Sequence, residues 1–514
     1  MSTNYHFTEE HNLFRQGLRD FLDREVQPNI DKWEEDRRIP KELWRKFGEM
    51  GYLGLNYPEK YGGMDADFFF SVVFLEEIGR CYSGGFMITP SVQQYMATPY
   101  ISKHGSDFLK EKYLTKAIAG EWIASIAITE PGAGSDVANI QTRAVREGDH
   151  YVVNGAKTFI TNGYYGDFLV TVVKTDPDKG AGGVSLLVID RNAEGVSARK
   201  LKKLGWHASD TAELNFDDVR VPVQNLIGEE NMGFYYLMGG LQVERLAGAI
   251  SAVSGSRLAL EYALQYMSER EAFGRPINKF QVLRHRVAQM SAETESTQAF
   301  IYHCARLHAN GEYAVKECSM AKLLATELSD KVTYQCLQFF GGYGYMEEYK
   351  IARMFRDSRI GTIGGGTSEI MREIIAKMVI DERQYDHAKQ PQPAAVSAVA
   401  ENDSIIQLPN KKNGIHMNFN EVVDAVKTRA DNAAPLGNTL KFKMGDEQVI
   451  LDGTGGSNTV TTEDQDTDCT IEISKEDFGA LLKGDLNPMN AFMSGKIKVK
   501  GDMGVAMKLQ SLLS

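Results

Sequence analysis

The strongest constraint in this sequence is the length of its helical hydrophobic periodicity after Gly233. Apolar residues recur at helical spacing through residues 234–269, 280–310 and 312–340. Helices of that length bury their apolar faces by packing side by side. The sequence therefore predicts a helical bundle over residues 229–383, closed by a last helix from Ser368 to Asp381.

The rest of the chain divides according to the period of its apolar residues. Helical patterning behind a Thr8 N-cap fills the first part, and short β-branched and aromatic runs between Gly, Asn and Asp follow it. A Pro- and Ala-containing stretch after the bundle has the composition of a flexible linker. The predicted fold class is multidomain, with an all-α N-terminal domain (1–122), a β-barrel-like middle domain (123–228), the α-helical bundle (229–383), a linker (384–410) and a C-terminal α+β domain (411–514).

Charge and cysteine content argue against several classes of partner. Lys plus Arg total 57 against 69 Asp plus Glu, and the net charge of -12 disfavours binding to nucleic acid or anionic membranes. The five cysteines are scattered and predict neither a disulfide framework nor a metal site. Apolar runs are too short for a transmembrane segment, and the start of the chain lacks a secretory leader. We therefore expect a cytoplasmic, bacterial protein.

Two glycine-rich segments carry the first chemical signal. Residues 126–136 read IAITEPGAGSD and residues 155–163 read GAKTFITNG. Glycines leave backbone N–H groups open to a ligand, and Ser and Thr add short hydroxyl donors. The first segment begins like a dinucleotide fingerprint, but Val137 stands at the third glycine position, so a Rossmann fold is not predicted. Either segment alone is typical of a turn between strands.

Taken together and in this order, the two segments resemble the flavin-contacting segments of the acyl-CoA dehydrogenase family, whose fold is a helical domain, a β domain and a helical bundle. Further matching runs are residues 203–207, 270–274 and 338–345. The resemblance covers residues 6 to about 383. It implies FAD as cofactor and the conversion of a fatty acyl-CoA to a trans-2-enoyl-CoA. It also implies an electron-transfer flavoprotein as acceptor and a homo-oligomer, either tetramer or dimer.

The resemblance also implies which residues bind the cofactor. Those expected at the flavin ring are Ile126, Ala127, Thr129, Gly134, Ser135, Phe159, Ile160 and Thr161. Many family members carry Trp where Phe159 stands. Those expected at the adenosine diphosphate of an FAD bound by a neighbouring subunit are Arg270, Phe273, Gln281, Gln338, Phe340, Gly341 and Gly342, and Thr367 and Glu369 complete the cofactor set.

The reaction needs a carboxylate base, and the loop position that usually supplies it in the family holds Gly365. A subgroup that includes isovaleryl-CoA and long-chain dehydrogenases has its base on a bundle helix, which here implies Glu244, immediately before Arg245. Without a side chain Gly365 leaves room for this base, and its N–H is expected to form an oxyanion-hole pair with a flavin hydroxyl. Burial should raise the pKa of Glu244. The residues expected to contact substrate are Ser135, Arg245 and Gly366, whereas Glu347 and Glu348 are interpreted as a solvated turn.

The segment after the linker resembles the sterol-carrier-protein-2 family. Alternating residues at 440–444 and 496–500 predict half-buried strands, and Ser474 precedes a short apolar helix. The resemblance covers residues 411–514 and implies a tunnel for a lipid or acyl-CoA, without catalytic residues. Delivery of that ligand to the dehydrogenase is a hypothesis. The candidate lining residues are Met417, Met489, Phe492, Met493, Met503 and Met507.

Two other functions stay open from the sequence. The first is an acyl-CoA oxidase on the same fold, which uses O2 as acceptor and is distinguished by oxygen consumption. The second is a lipid-binding protein whose dehydrogenase module is inactive, for which failure to bind FAD would be the evidence.

Overall fold

The computed structural model describes residues 6–381, 418–433, 435–483 and 496–501, with residues 486, 491 and 505. The chain divides into two compact units, Met1–Ile375 and Ala376–Ser514. The predicted linker and all six candidate lining residues of the C-terminal tunnel lie outside the described residues.

The N-terminal part of the first unit is helical, as predicted. Thr8 caps the first helix, because its side chain accepts a hydrogen bond from the His11 N–H. The fourth helix is buried on nearly all sides and keeps Glu76 and Glu77 inside the protein by pairing both carboxylates with Arg15. The helices are α1 (Glu9–Phe21), α2 (Ile30–Asp36), α3 (Lys41–Glu49), α4 (Phe68–Ile78), α5 (Gly84–Ser91), α6 (Thr98–His104), α7 (Asp107–Leu109) and α8 (Thr115–Ile118).

The middle of the first unit is a seven-stranded sheet of order β1-β4-β2-β3-β7-β6, with β5 paired to β4. Its strands are β1 (Ala124–Ala127), β2 (Arg143–Glu147), β3 (His150–Thr161), β4 (Phe168–Lys174), β5 (Val184–Asp190), β6 (Val196–Lys200) and β7 (Thr211–Pro222). Strand β3 is longer than the short runs predicted for this domain, because its later residues pair with β7 across two register shifts. The second shift lies between Lys157 and Ile160, where the two flavin segments meet.

A buried ion pair fixes the loop after β1 against β3. The ammonium group of Lys157 donates to Glu130 Oε1 at 2.8 Å and to the Ile128 carbonyl at 2.9 Å. Glu130 also accepts the backbone N–H groups of Gln141 and Thr142. Burial lowers the pKa of Lys157 to about 8. Although burial of Glu130 acts in the opposite direction, the charge of Lys157 keeps the pKa of Glu130 below its ordinary value.

The predicted bundle is confirmed, and its long helices are α9 (Gly233–Glu269), α10 (Gln281–Ala309) and α11 (Val315–Phe340). Two short strands, β8 (Glu271–Ala272) and β9 (Arg275–Pro276), connect α9 to α10. Helices α12 (Lys350–Ser358) and α13 (Ser368–Ala376) follow, and a π-helical turn, Lys377–Asp381, continues α13 to the predicted end. Residues of α9, α10 and α11 share a core with the N-terminal helices, so α9 spans the interior of the first unit.

The second unit is α+β, as predicted. Its sheet has five strands of order β12-β11-β10-β13-β14, and its core includes the stacked rings of Phe442 and Phe478. Ser474 caps the short helix through the Asp477 N–H. The elements are α14 (Phe419–Asn432), β10 (Thr439–Met444), β11 (Glu447–Asp452), β12 (Thr459–Thr461), β13 (Cys469–Ile473), α15 (Lys475–Lys483) and β14 (Ile497–Gly501).

Replacing Lys157 should destabilise the first unit strongly. Lys157→Met leaves the buried carboxylate of Glu130 without its cation, and we expect a loss of about 3–5 kcal/mol in the free energy of unfolding. The double variant Lys157→Met with Glu130→Gln should lose less, because it leaves no unpaired buried charge. Chemical unfolding followed by circular dichroism measures both.

Lys331→Met is the matched control, since Lys331 pairs with Glu293 at 2.7 Å on an exposed surface. Its cost should stay within about 1 kcal/mol. Equal losses for Lys157→Met and Lys331→Met would contradict the organising role of the buried pair.

Candidate active site

The first predicted flavin segment runs from strand β1 into the loop that Glu130 anchors. Ala127 is buried in the strand and Ile126 is half-buried, whereas Gly134 and Ser135 are exposed in the loop. A Cβ added at Gly134 would meet no atom within 4 Å. Glu130 therefore holds the start of the loop in place, while the outer side of the loop at Gly134 is open to a ligand.

The second segment lies at the end of β3, in the register shift against β7. Phe159 has a positive φ of 62° and the residue is 68% exposed, although Ile160 beside it is buried. An aromatic residue at positive φ is strained by about 1–2 kcal/mol and is uncommon outside functional sites. The Thr158 N–H donates to the Thr129 carbonyl at 2.8 Å, so the two segments form one surface. The sequence analysis did not predict the bulge or the strain.

The residues expected at the adenosine end lie together at one end of the bundle. Arg270 follows α9, and its guanidinium carbon lies 6.0 Å from the Tyr343 ring centroid, just beyond Gly341 and Gly342. Phe273 is 95% exposed, and Gln281 and Gln338 are exposed as well. Phe340 differs from these residues, because its ring is buried and stacks on Tyr266 at 4.1 Å. Only the backbone of Phe340 is therefore suited to contact a ligand.

In the described part of the chain, no hydrogen bond, ion pair or ring contact joins this adenosine set to the Phe159 segment. One protomer thus presents two separate groups of expected cofactor residues.

The predicted base, Glu244, lies on α9 and is buried. The Tyr100 hydroxyl on α6 donates to its Oε1 at 2.7 Å. Burial raises the pKa of Glu244 to about 7, against the opposing effects of the Tyr100 hydrogen bond and the Arg245 charge. The sequence analysis missed Tyr100, because it lies 144 positions away and has no motif around it.

Helix α11 connects Arg245, the residue after the predicted base, to the glycine loop before α13. Arg245 is buried and directs Nη1 to the Ser319 hydroxyl at 3.4 Å. One turn later, Lys322 donates to the Gly366 carbonyl at 2.5 Å. Burial and the nearby charge of Arg245 lower the pKa of Lys322 to about 8. Lys322 was also missed, since a lysine inside a bundle helix gives no sequence signal of its own.

The glycine loop is open around Gly365. A Cβ added at Gly365 would meet no atom within 4 Å. Its φ of 64° disfavours any side chain there, which the sequence did not reveal. Thr367 accepts the Ile370 N–H at 3.3 Å and Glu369 is exposed, so both lie at the start of α13. Glu347 is exposed and pairs with Arg356, in agreement with a solvated turn.

Two further features are absent from the described residues. Among the described residues, no group of three or more His, Cys, Asp or Glu side chains is arranged to hold a metal ion. No helix within those residues has the length and hydropathy needed to cross a membrane. All five cysteines are buried.

Known proteins resemble the chain over both of its units. Residues 8–121, 125–219 and 231–380 match the N-terminal, middle and C-terminal domains of acyl-CoA dehydrogenase, and residues 419–514 match the SCP-2 sterol transfer family. The mitochondrial long-chain specific acyl-CoA dehydrogenase of Sus scrofa is 40% identical over 382 residues, which are 73% of this chain and 88% of that protein.

Solved structures agree with these matches. The acyl-CoA dehydrogenase of Geobacillus kaustophilus is 45% identical with a TM-score of 0.71, over 73% of this chain and 99% of that one. A glutaryl-CoA dehydrogenase from Mycobacterium smegmatis, solved in complex with FADH2, is 26% identical with a TM-score of 0.70. The match covers 75% of this chain and 98% of that one. This chain belongs to the acyl-CoA dehydrogenase family and continues, after the region shared with these relatives, into an SCP-2 sterol transfer domain.

Proposed function

We propose that the protein catalyses FAD-dependent α,β-dehydrogenation of a fatty acyl-CoA to the trans-2-enoyl-CoA. The observation that carries this proposal is the buried carboxylate of Glu244, whose pKa of about 7 suits proton abstraction near neutral pH. Membership of the family supports the same reaction. The long-chain specific relative and the SCP-2 domain both favour long acyl chains.

The surface formed by the two glycine-rich segments fits a flavin. The exposed Phe159 ring offers an apolar face, the loop at Gly134 leaves open space, and Thr129 and Thr161 carry hydroxyls for the polar edge of the ring. FAD held there would supply the acceptor for the hydride that leaves the β carbon. Residues proposed to hold its ring are Ile126, Ala127, Thr129, Gly134, Ser135, Phe159, Ile160 and Thr161. Residues proposed for the rest of the cofactor are Arg270, Phe273, Gln281, Gln338, Phe340, Gly341, Gly342, Thr367 and Glu369.

The chain's own residues perform the proton transfer in this proposal. Glu244 takes the proton from the α carbon, and the electron pair of that C–H bond enters the new double bond. The Gly365 N–H donates to the thioester oxygen and stabilises the negative charge that forms there. Lys322 donates to the Gly366 carbonyl and so helps to hold the loop that carries this N–H. Ser135, Arg245 and Gly366 are proposed to position the substrate.

The residues expected at the adenosine end of FAD, with their exposed apolar neighbours, support a proposed homo-oligomer, either a tetramer or a dimer. Phe273, Val282 and Tyr345 are 95%, 60% and 83% exposed, and exposed apolar side chains of this size favour contact with a partner. A neighbouring protomer could then supply Arg270 to a cofactor bound at Phe159 of the first. An electron-transfer flavoprotein is the proposed acceptor of the electrons, and a cytoplasmic location in a bacterium is the proposed setting.

The C-terminal domain is proposed to bind a lipid or acyl-CoA and to deliver it to the dehydrogenase. Sterol transfer is the activity named by its family, and a tethered carrier raises the effective concentration of its ligand at the active site. The relative from Geobacillus kaustophilus aligns over 99% of its length with only 73% of this chain, so dehydrogenase folds of this kind exist without the added domain.

Replacing Glu244 tests the proposed reaction. Anaerobic addition of acyl-CoAs from butyryl to palmitoyl should bleach the flavin absorbance of the wild type and rank the chain lengths. Its kcat/KM should fall below pH about 7, because protonation of Glu244 removes the base. Glu244→Gln should retain FAD, but its rate of flavin bleaching should fall at least a thousandfold. This corresponds to an increase on the order of 4 kcal/mol in the activation barrier.

Glu261→Gln is the control for this change, since Glu261 lies exposed on the same helix and pairs with Arg80. It should bleach like the wild type. Near-normal bleaching of Glu244→Gln would reject the base assignment, and rapid oxygen consumption by the wild type would favour an oxidase.

Replacing Phe159 tests the flavin surface. Phe159→Gly removes an exposed ring, which contributes little packing to the apoprotein. It also relieves backbone strain of about 1–2 kcal/mol, so the free energy of unfolding of the apoprotein should decrease only slightly or increase. FAD should dissociate about tenfold faster, because the ring no longer packs on the cofactor. Asp65→Gly, at another positive φ, is the control and should keep wild-type FAD release. Unchanged FAD release in Phe159→Gly would contradict the proposed surface.

Deleting residues 390–514 tests delivery by the C-terminal domain. The kcat/KM for palmitoyl-CoA presented with lipid vesicles should fall several-fold, whereas that for the water-soluble butyryl-CoA should stay at the wild-type value. Steady-state kinetics of both substrates on the full and shortened chains measure this. Equal values for palmitoyl-CoA would count against delivery and leave the dehydrogenase proposal intact.

A further inference from the structure

Tyr100 is a hydrogen-bond partner of the proposed base. It lies on α6 with 2% of its surface exposed, and its hydroxyl donates to Glu244 Oε1 at 2.7 Å. The bond joins two helices that are far apart in sequence and lies in a buried environment, where a hydrogen bond to a carboxylate is strong. It occupies Oε1 and leaves Oε2 as the oxygen that can receive a proton.

Gly240 makes this contact possible. It lies one helical turn before Glu244 on α9, so the two residues share a face of the helix. A Cβ at Gly240 would lie 2.2 Å from the Tyr100 hydroxyl oxygen and 2.6 Å from the ring carbon that bears it. The neighbouring Gly239 differs, because a Cβ there would meet no atom within 4 Å. The Tyr100 hydroxyl therefore reaches Glu244 through the space that Gly240 leaves.

We propose that Tyr100 is a positioning residue for the Glu244 base, and that Gly240 is the residue that admits its hydroxyl. Tyr100 holds Oε1 so that Oε2 faces the substrate, and it favours the ionised form of the carboxylate. This inference rests on the proposed function of Glu244.

The charges around Glu244 agree with that role. Among the described residues, the titratable groups that act on it are Tyr100 from α6 and Arg245 from its own helix, and both lower its pKa against the larger effect of burial. Arg245 in turn faces Cys318 and Tyr313, and its charge acts on Lys322. Burial and the nearby carboxylate raise the pKa of Tyr100 well above its ordinary value, so it stays a neutral donor.

The pH dependence of Tyr100→Phe tests the proposal. Loss of the hydroxyl removes a group that favours the ionised carboxylate, so the pKa of Glu244 should rise. The acid limb of the kcat/KM profile should move to higher pH by about one unit, with activity largely recovered above it. A purely structural role would lower the rate at every pH and leave the limb in place. An unmoved limb would overturn the proposal.

Gly240→Ala provides a second variant that keeps the tyrosine. The added methyl group should displace the hydroxyl and move the acid limb in the same direction, whereas Gly239→Ala, with the same change in helix propensity, should leave the limb unmoved. Adding Gly240→Ala to Tyr100→Phe should produce no further shift, because Gly240 acts through the hydroxyl. A limb that moves equally in Gly239→Ala and Gly240→Ala would contradict the role of Gly240.

A readout without substrate separates this inference from the proposed function. The infrared band of a protonated carboxyl group that disappears in Glu244→Gln should titrate at higher pH in Tyr100→Phe. If Glu244→Gln keeps its turnover, the base assignment fails, whatever Tyr100 does. If Glu244→Gln is inactive and both the infrared titration and the acid limb are unchanged in Tyr100→Phe, only the positioning role of Tyr100 fails.

Discussion

The buried pair of Lys157 and Glu130 is the interaction on which the proposed flavin surface depends. A lysine ammonium inside a protein loses its hydration and must recover that free energy from close partners. Lys157 finds them in Glu130 and in the Ile128 carbonyl, both on the loop after β1. The same contacts hold that loop against the end of β3, so one desolvated charge sets the relative position of both segments.

The burial of a carboxylate has a different consequence on α9. Glu244 lies in the protein interior and forms no ion pair of the Lys157 type with the residues that the structure describes, and burial raises its pKa. Glu130 keeps a lowered pKa because a cation lies 2.8 Å away. Two buried carboxylates in one unit thus differ in their surroundings, since one is held in an ion pair and the other is the proposed base.

Much of the architecture could be predicted, because periodicity reports which face of an element is buried. The helix predicted over 234–269 differs from α9 by one residue at its start. The burial of Glu244 on a bundle helix was expected from the family resemblance. Tyr100 and Lys322 could not be found in this way, since contacts between distant helices leave no local pattern. The strain at Phe159 depends on strand register, which short apolar runs do not specify.

The contact between Tyr100 and Gly240 also restricts how this site can change over evolutionary time. A mutation that gives position 240 any side chain meets the tyrosine hydroxyl at 2.2 Å, so it is harmful while Tyr100 is present. Shortening Tyr100 first removes the clash and makes the second change acceptable. The two positions therefore have a preferred order of substitution, and lineages that enlarge residue 240 are expected to have lost the tyrosine beforehand.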